Sequence, residues 1–333
     1  MKFKRKKLLF WLFVSFLVVL IVVLNWGMNH PRQINLQASS SSSPNIKSPQ
    51  LEAINILLLG IPGSGFNGAL LTDSIMLLHL DFTQKKVTAI SFPRDLWVQI
   101  PHSNQQSKLN ALYALSNNQK KSFPQTTSYQ LIQEKIEEIS NLKIDYVVIF
   151  DLTGFSKLVD ALGGINIWLD QEMFDPNLVN PHNTSEMFEL HPGWNYLDGA
   201  TAIKFVRTRY APSGDFYRMN NQHLILKALW EKVNQLSHVW NLMSWLKIYE
   251  SLANHYITNL NFNTLWEIFN LFKDLKEEQI KFLSITNRPP DNLLISASRT
   301  ETQDNATSTV YLLLPKAGFE NYQEIQTYLQ NNL

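Results

Sequence analysis

A short segment of the chain concentrates side chains that suit phosphate chemistry. It contains, in order, Arg207, Arg209, Asp215, Arg218 and Gln222. Guanidinium groups are planar and permanently charged, and they donate two parallel hydrogen bonds, which matches the geometry of a phosphate group. Isolated charged residues are usually solvated at the surface, so this segment alone leaves both interpretations open.

The elements that must position these side chains are predicted to be a strand, a loop and a helix. The apolar residues at 203–206 predict a buried strand, on which Arg207 and Arg209 would point to the same face. A loop containing proline and glycine breaks the strand. Apolar residues at helical spacing then predict a helix, on which Arg218 and Gln222, four positions apart, share one face.

Three further candidates lie beside predicted structural elements in the first half of the chain. Asp73 stands just before a strand, where it suits a divalent cation or the role of a base, although a loop or cap aspartate is the plainer interpretation. Arg94 follows Pro93 at a strand end, and the proline stiffens this exit. An exposed ion pair with Asp95 is the alternative, and it would contribute little stability. Lys108 adds a cation at the start of a helical stretch.

The composition argues against several classes of function. The net charge is +1 over 333 residues, so no overall basic field attracts nucleic acid. The absence of cysteine excludes disulfides, thiol catalysis and cysteine-ligated metals. Histidine spacing does not favour zinc, and no Gly-x-Ser-x-Gly motif supports a serine hydrolase. A glycine-rich run at 60–65 lacks the Lys-Ser/Thr of a phosphate-binding loop and is a weak signal for nucleotide binding.

The N-terminus predicts a membrane anchor. Residues 1–7 form a basic tail, and residues 8–28 are almost entirely apolar and long enough to cross a bilayer at about 1.5 Å per residue. The charge bias places the N-terminus in the cytoplasm. A cleaved signal peptide is the alternative, but no clean small-x-small cleavage site is present. Residues 29–51, rich in serine and proline, predict a flexible linker to one extracytoplasmic domain at 52–333.

Strands alternate with helices along this domain, which predicts an α/β layered fold. Strands are predicted at 54–59, 74–80, 86–92, 146–150, 165–169, 280–285 and 310–314, and helices at 130–139, 153–162, 217–236, 242–254 and 263–274. The polar stretch at 286–308 is predicted to be a loop.

Nine of these segments, in this order, resemble the LytR-CpsA-Psr family. The matching pieces are residues 55–60, 72–78, 91–95, 108–110, 145–149, 158–165, 192–199, 205–209 and 214–218. The resemblance covers a motif-bearing core at 54–236 together with the N-terminal anchor. The last third of the chain matches only in general character.

The resemblance implies a fold, an activity and a location. Family members are anchored on the outer face of the cytoplasmic membrane and act in cell wall assembly, including the attachment of teichoic acid or capsule. They are phosphotransferases that move a glycopolymer from a polyprenyl-pyrophosphate carrier to a peptidoglycan sugar hydroxyl, forming a phosphodiester. The implied fold is a three-layer α/β/α sandwich around a mixed central sheet, with an apolar channel for the lipid.

The resemblance also implies roles for individual residues. The residues expected to contact the pyrophosphate are Arg94, Lys108, Arg207, Arg209, Arg218 and Gln222. Those expected to have catalytic roles are Asp73, Arg94, Arg207 and Arg209. Mg²⁺ (or Mn²⁺) is assigned to Asp73, with Asp215 as a second candidate ligand. Pro62 stands where many members have an aspartate, which puts the second metal ligand in doubt. Asn221 stands where many members have an arginine. Its amide can still form a hydrogen bond but carries no positive charge.

Two alternatives to the transferase stay open. A pyrophosphatase would use the same arginine site with water as the acceptor. A non-catalytic protein that binds or regulates wall glycan is favoured if Pro62 has abolished metal binding. The residues specify neither the glycopolymer nor the acceptor sugar.

Overall fold

The computed structural model describes residues 52–122, 127–211, 214–236, 252, 254–261, 264, 267–268, 271–272, 275–303 and 306–333. The predicted anchor and linker lie outside these residues, as does most of the predicted helix at 242–254 and about half of the one at 263–274. None of the helices in the described part of the chain has the length and apolar character needed to cross a membrane.

A mixed six-stranded sheet forms the centre of the fold. Its strands, in spatial order, are β11 (Tyr256–Thr258), β6 (Tyr146–Asp151), β1 (Ala53–Ile61), β2 (Ser74–Asp81), β3 (Lys86–Ser91) and β12 (Ile280–Ser284). The pairs β1–β6 and β3–β12 are parallel, and the other three are antiparallel. At one edge of the sheet Gly60 of β1 pairs with Ser74 of β2 and with Phe150 of β6. Residues just beyond these three strand ends are therefore brought together.

The described residues also form four two-stranded sheets. They pair β4 (Trp97–Gln99) with β5 (Gln106–Lys108), β7 (Ile165–Leu169) with β10 (Gly193–Leu197), β8 (Met173–Val179) with β9 (Met187–Leu190), and β13 (Leu294–Gln303) with β14 (Ala306–Pro315). The prediction of a loop at 286–308 is wrong, because β13 lies within it. The ladder from Leu294↔Pro315 to Gln303↔Ala306 supplies backbone hydrogen bonds, so this strand forms despite its polar sequence.

Six α-helices have their bounds defined in the described residues. They are α1 (Leu112–Ser122), α2 (Gln130–Ser140), α3 (Leu152–Ala161), α4 (Gly199–Arg207), α5 (Asp215–Leu236) and α6 (Gln323–Gln330). The predicted helices at 130–139, 153–162 and 217–236 are confirmed. Helix α3 begins where the predicted strand at 146–150 ends, because the Asp151 side chain accepts a hydrogen bond of 2.7 Å from the backbone N–H of Gly154.

Side chains of the central sheet are buried on both faces. Leu57 and Leu59 of β1 contact a core that includes residues of α1, α2 and α6. Ile54 and Ile56 contact a second core on the other face, which includes Leu260 and neighbouring residues. Burial on both faces explains why β1 is a nearly continuous apolar run. The prediction of an α/β fold around a mixed sheet is confirmed.

The predicted strand at 203–206 is wrong, because this segment belongs to helix α4. Asp198 caps the helix by accepting a hydrogen bond of 2.8 Å from the backbone N–H of Thr201. Ala202 and Phe205, three positions apart, are both buried, which is the spacing of a helical face. Arg207 is therefore the last residue of a helix, and it does not share a strand face with Arg209.

Candidate active site

Arg94 and Arg218 lie together with two carboxylates between them. The Nη1 of Arg94 donates a hydrogen bond to Oδ1 of Asp73, and its Nε lies 3.3 Å from Oδ1 of Asp215. The Nη2 of Arg218 lies 2.7 Å from the same Asp215 oxygen, and its Nη1 lies 4.0 Å from Asp73 Oδ1. Residues from three separate parts of the chain thus form a cluster of alternating charge, called here the arginine–carboxylate cluster.

The central sheet and helix α5 hold this cluster in place. The backbone N–H of Asp73 donates a hydrogen bond of 2.9 Å to the carbonyl of Gly60, which fixes the residue beside the end of β1. The carbonyl of Arg94 accepts a hydrogen bond of 3.1 Å from the backbone N–H of Asn110. Asp215 and Arg218 stand in the first turn of α5. The cluster is therefore built on rigid elements, which favours a preorganised site.

Burial strongly affects the ionisation of the cluster. Arg218 is 3% exposed, and burial lowers its pKa to about 10, against the attraction of Asp215. Burial alone would lower the pKa of Arg94, but the carboxylates of Asp215, Asp73 and Asp95 raise it overall. Burial raises the pKa of Asp215, although Arg218 and Arg94 oppose this shift. Both arginines remain cationic at neutral pH.

Asp215 lies beneath the two arginines. Oδ1 is close to Arg218, yet neither oxygen of Asp215 has a hydrogen-bond partner of suitable geometry among the described residues. The contact is therefore an ion pair, and Asp215 is placed as the counter-ion of two buried guanidinium groups. Its predicted role as a metal ligand stays a prediction.

A large cavity begins at the cluster and extends into the protein. Its volume is about 1160 Å³, which is above the usual range of roughly 300–1,000 Å³ for small-molecule sites. One wall is the face of the central sheet that carries Ile56 and Leu58, and helix α5 contributes Ile225 and Leu229 to the lining. Polar lining residues near the cluster are Asp73, Ser74, Arg94, Arg207, Arg209, Arg218 and Gln222. The cavity is thus apolar along most of its lining and charged where these residues meet.

Arg207, the last residue of α4, and Arg209, two positions later, reach the same cavity. Both side chains are exposed, and the guanidinium carbon of Arg207 lies 5.7 Å from the ring centre of Phe66. Gln222 also lines the cavity, and its Oε1 accepts a hydrogen bond of 3.1 Å from the hydroxyl of Ser74. The structure therefore brings together the four arginines, the glutamine and Asp73 that the sequence predicts, although it does so with a helix where a strand was predicted.

Lys108 occupies a different place from the one predicted. Its Nζ lies 2.6 Å from Oδ1 of Asp95, and the other oxygen of Asp95 lies 3.7 Å from Nε of Arg94. Lys108 is not among the residues that line the cavity. Lys108 therefore neutralises the charge of Asp95. Because Asp95 is paired with Lys108, the guanidinium of Arg94 stays available to an anion. A direct contact between Lys108 and the pyrophosphate stays a prediction.

Asn221 is turned away from the cavity. It is 1% exposed, and its Nδ2 donates a hydrogen bond of 3.3 Å to the carbonyl of Phe205 in α4. The amide joins helix α5 to helix α4, the helix that carries Arg207. Asn221 thus serves a structural contact between two helices and not the cavity.

The residues present fit a divalent cation only if the substrate supplies part of its coordination. Within the described residues no group of three or more His, Asp or Glu side chains is placed to hold a metal. The side chain of Asp73 is 32% exposed, and Pro62 supplies no second carboxylate. Mg²⁺ commonly binds through one or two carboxylates together with substrate phosphates and water. Asp73 fits such a shared ion.

An aspartate–histidine pair in the cavity wall was missed by the sequence reasoning. Oδ2 of Asp151 lies 2.9 Å from Nδ1 of His255, and the Nε2 of this ring lies 2.9 Å from Nζ of Lys157. His255 lines the cavity. Asp151 carried a weak signal as a polar residue at the end of a strand, but no local pattern marks His255.

The glycine-rich run at 60–65 has a structural explanation. Gly63 has a φ of +83°, in the left-handed region, and a Cβ at this position would lie 2.6 Å from the Cβ of Asp151. Only glycine allows the loop to pass so close to β6. This close approach accounts for Gly63 without a bound nucleotide.

Comparison with known proteins decides the family. The sequence model of the LytR_cpsA_psr family matches residues 25–317. The chain belongs to the LytR-CpsA-Psr family. The prediction of family membership is thereby confirmed.

Individual relatives of this LytR-CpsA-Psr protein carry names connected with the cell wall. It is 25% identical over 295 residues to the polyisoprenyl-teichoic acid–peptidoglycan teichoic acid transferase TagU of Enterococcus faecalis, covering 84% of this chain and 88% of that protein. It is 31% identical over 158 residues to the probable cell wall biosynthesis protein LcpB of Corynebacterium glutamicum, covering 47% of this chain and 33% of that protein.

Solved structures share the fold of this LytR-CpsA-Psr domain. Bacillus subtilis TagV superposes with a TM-score of 0.60 at 23% identity, covering 85% of this chain and 97% of TagV. TagT bound to LI-WTA superposes with a TM-score of 0.59 at 22% identity, covering 86% of this chain and 92% of TagT. At these identities the similarity establishes the fold and not the chemistry of the site.

Proposed function

We propose that this protein transfers a glycopolymer from a polyprenyl-pyrophosphate carrier to a sugar hydroxyl of peptidoglycan. One observation carries the proposal: the arginine–carboxylate cluster opens directly into an apolar cavity of about 1160 Å³. A molecule that fits both parts has a small, strongly anionic group attached to a long apolar chain. Membership of the LytR-CpsA-Psr family and the names of the curated relatives support the same assignment.

The charges of the site suit a pyrophosphate diester, which carries two negative charges. The cations are Arg94, Arg207, Arg209, Arg218 and Lys108, and the carboxylates beside them are Asp73, Asp95 and Asp215. Asp175, which lines the cavity and accepts a hydrogen bond from the Thr208 hydroxyl between Arg207 and Arg209, is a fourth carboxylate of the site. Five cations against four carboxylates leave a formal surplus of one positive charge. The carboxylates hold the arginines in place, while the surplus attracts the anion.

The chemistry is a phosphoryl transfer with an oxygen nucleophile. The acceptor hydroxyl oxygen attacks the phosphorus bound to the glycopolymer, and the bond from that phosphorus to the bridging oxygen breaks. The departing polyprenyl phosphate keeps the electron pair of the broken bond and takes up the proton that the hydroxyl loses. Phosphoryl transfer depends mainly on positioning and on charge stabilisation. Arg94 and Arg218 are fixed where negative charge accumulates on the leaving phosphate.

Asp73 is the residue that would hold Mg²⁺ (or Mn²⁺). When bound, the ion would supply additional positive charge to the phosphate oxygens. The hydrogen bond from Arg94 fixes one oxygen of the Asp73 carboxylate, so the orientation of this group is set by the chain itself. The alternative role of Asp73 is to position the attacking hydroxyl.

The proposed location follows from the N-terminus. The basic tail at 1–7 lies in the cytoplasm, residues 8–28 cross the membrane, and the linker at 29–51 tethers the domain at 52–333 on the extracytoplasmic side. The domain is a three-layer α/β/α sandwich in this proposal, with the sheet as the middle layer. A membrane tether keeps the site near lipid-linked substrates and near peptidoglycan.

A transfer assay separates this proposal from its alternatives. The full chain, reconstituted in liposomes with a radiolabelled polyprenyl-pyrophosphate glycan, is incubated with purified peptidoglycan. Label in the insoluble peptidoglycan fraction is expected. Free phosphorylated glycan as the sole product would instead support a pyrophosphatase, and absence of both products would support a non-catalytic glycan-binding or regulatory protein.

A further inference from the structure

A group of exposed aromatic side chains stands on the two-stranded sheet formed by β7 and β10. Trp168, Trp194 and Tyr196 are 51%, 68% and 62% exposed, and all three lie on the outward face of this sheet. Trp168 and Trp194 are directly paired across the strands. The inward face carries Ile165, Ile167, Leu169 and Leu197, which are buried in the core. We call the three exposed rings the aromatic platform.

The rings of the platform are held in fixed orientations. The indoles of Trp168 and Trp194 meet edge to face, with their centres 5.6 Å apart. The Nε1 of Trp168 donates a hydrogen bond of 2.9 Å to Oδ1 of Asp170. The Tyr196 ring fills the space where Gly164 would carry a Cβ. Fixed aromatic rings lose little entropy on binding, so they suit a recognition surface better than a random exposed patch.

The charge around the platform restricts its partner. Residues 158–203 contain seven aspartates and glutamates, all but the buried Asp175 at the surface, and no lysine or arginine. Lys232 of α5 reaches the rim, where its Nζ lies 3.3 Å from the carbonyl of Gly163. A strongly acidic surface repels anionic lipid headgroups and polyanionic polymers. Uncharged sugars meet no such repulsion, and their C–H faces pack on the negative faces of aromatic rings.

A second pair of exposed aromatic residues lies at the active-site cavity. Phe174 in β8 and Tyr210 after α4 are both exposed, and their rings meet edge to face with centres 6.4 Å apart. Tyr210 also lines the cavity together with Arg207 and Arg209. Phe174 follows Trp168 by six positions, across the exposed segment 170–172. Six residues span at most about 22 Å, so a chain molecule seated on the platform lies within that distance of the Phe174–Tyr210 pair beside the cavity.

We propose that the aromatic platform of Trp168, Trp194 and Tyr196 binds the uncharged sugar backbone of the acceptor glycan, a strand of N-acetylated amino sugars. The choice of this glycan rests on the proposed function. The surface itself is outside the arginine–carboxylate cluster, and its role is to hold the acceptor strand while a hydroxyl reaches the cluster. Such positioning raises the effective concentration of the acceptor.

Binding of chitotetraose, a tetramer of N-acetylglucosamine, tests the proposal. The full chain in detergent is titrated calorimetrically, and saturation-transfer NMR reports which sugar protons contact the protein. The double variant W168A/W194A is expected to bind at least about tenfold more weakly, because exposed tryptophans dominate such contacts. Y311A, which removes an exposed aromatic from β14, is expected to bind like the wild type. W194A alone tests the platform if the double variant unfolds.

The outcomes separate the platform from the proposed function. R94A is expected to lose transfer while retaining chitotetraose binding. Equal binding of the sugar by the wild type and by W168A/W194A, or no binding by either, overturns the platform and leaves the transferase standing. If the sugar binds through the tryptophans but the protein transfers no glycopolymer, the proposal for the platform stands and the proposed transferase function is overturned.

Two other occupants of the same surface are tested by hydrogen exchange. With the full chain in nanodiscs, added chitotetraose is expected to slow exchange at 165–169 and 193–197. If these residues are protected from exchange by anionic lipid but not by sugar, the surface binds the membrane. If their protection from exchange increases only with protein concentration, the surface binds a second copy of the chain. Either result overturns the proposal.

Discussion

The Nη2 of Arg218 lies 2.7 Å from Oδ1 of Asp215, three positions earlier in the first turn of α5. The Arg218 side chain is 4% exposed and that of Asp215 is 12% exposed. A buried guanidinium needs a nearby carboxylate, because desolvation of an isolated charge is very costly. Asp215 therefore keeps Arg218 charged inside the protein and available to an anionic substrate.

Removal of the Asp215 charge is expected to destabilise the domain. Asp215→Asn leaves two buried guanidinium groups without their shared counter-ion, and breaking such a pair costs about 3 kcal/mol. The free energy of unfolding is measured by urea titration. Glu324→Gln, at an exposed position in α6, is the control and is expected to change stability by less than about 0.5 kcal/mol. Equal stability of the two variants would show that Asp215 is not a counter-ion.

Substitution of Arg94 is expected to abolish most of the transfer activity. Arg94→Ala removes a cation fixed by Asp73, and the rate is expected to fall by about 100-fold or more. Arg94→Lys is expected to restore little, because a single ammonium lacks the planar fork of the guanidinium. The initial rate of label transfer to peptidoglycan is the measurement. Arg299→Ala, which removes an arginine that contacts Trp97, is the matched control. Full activity of R94A contradicts the assignment.

His223 is expected to make the domain less stable in mild acid. Burial lowers its pKa to about 4, and its Nε2 lies 2.7 Å from the Ser91 hydroxyl. In the unfolded chain the pKa is about 6.5, so between pH 6.5 and 4 the unfolded state binds a proton that the folded state does not. The free energy of unfolding is therefore undiminished above pH 6.5 and falls as the pH drops toward 4. Protonation of this one histidine accounts for a decrease of up to about 3 kcal/mol.

The control for this pH dependence is a side chain that does not titrate. His223→Met is expected to lower stability at neutral pH, because Ser91 loses its partner, but to flatten the slope between pH 6.5 and 4. Urea titrations at several pH values give both quantities. An identical slope in the wild type and in His223→Met would assign the acid sensitivity to other groups.

Restoring a carboxylate at position 62 is expected to strengthen metal binding. Pro62→Asp places a second carboxylate on the loop beside Asp73, and a second ligand improves metal affinity by about tenfold. The shift of the melting temperature with Mg²⁺ concentration is measured without substrate, so the test does not depend on activity. Asp73→Asn in the same background is expected to remove the shift. An unchanged Mg²⁺ response in P62D would exclude Asp73 and position 62 as a joint site.

Much of the central sheet was predictable because its strands are buried on both faces. Continuous apolar runs such as the one from Ile54 to Leu59 leave few alternatives. The segment before Arg207 was misassigned because a short apolar run fits both a strand and a helix, and the cap at Asp198 decides between them. The loop prediction at 286–308 failed because residues 295–300, which are mostly exposed, pair through backbone hydrogen bonds that need no apolar pattern.

The site was predictable in its members but not in its arrangement. Asp73 and Arg94 were candidates because each stands beside a strand end, and the antiparallel pairing of β2 with β3 places them at the same end of the sheet. No pattern in the nearby sequence indicated that Lys108 would pair with Asp95 and lie outside the cavity lining. The pair of Asp151 and His255 joins residues 104 positions apart, so only the fold brings it together.

The most direct test of the central claim is a crystal structure of the domain soaked with a polyprenyl pyrophosphate. The predicted result is phosphate density within hydrogen-bonding distance of Arg94, Arg207 and Arg209, with the polyprenyl chain in the apolar cavity beneath α5. Phosphate density away from these arginines, or a chain bound outside the cavity, would contradict the claim that this site holds a lipid-linked pyrophosphate.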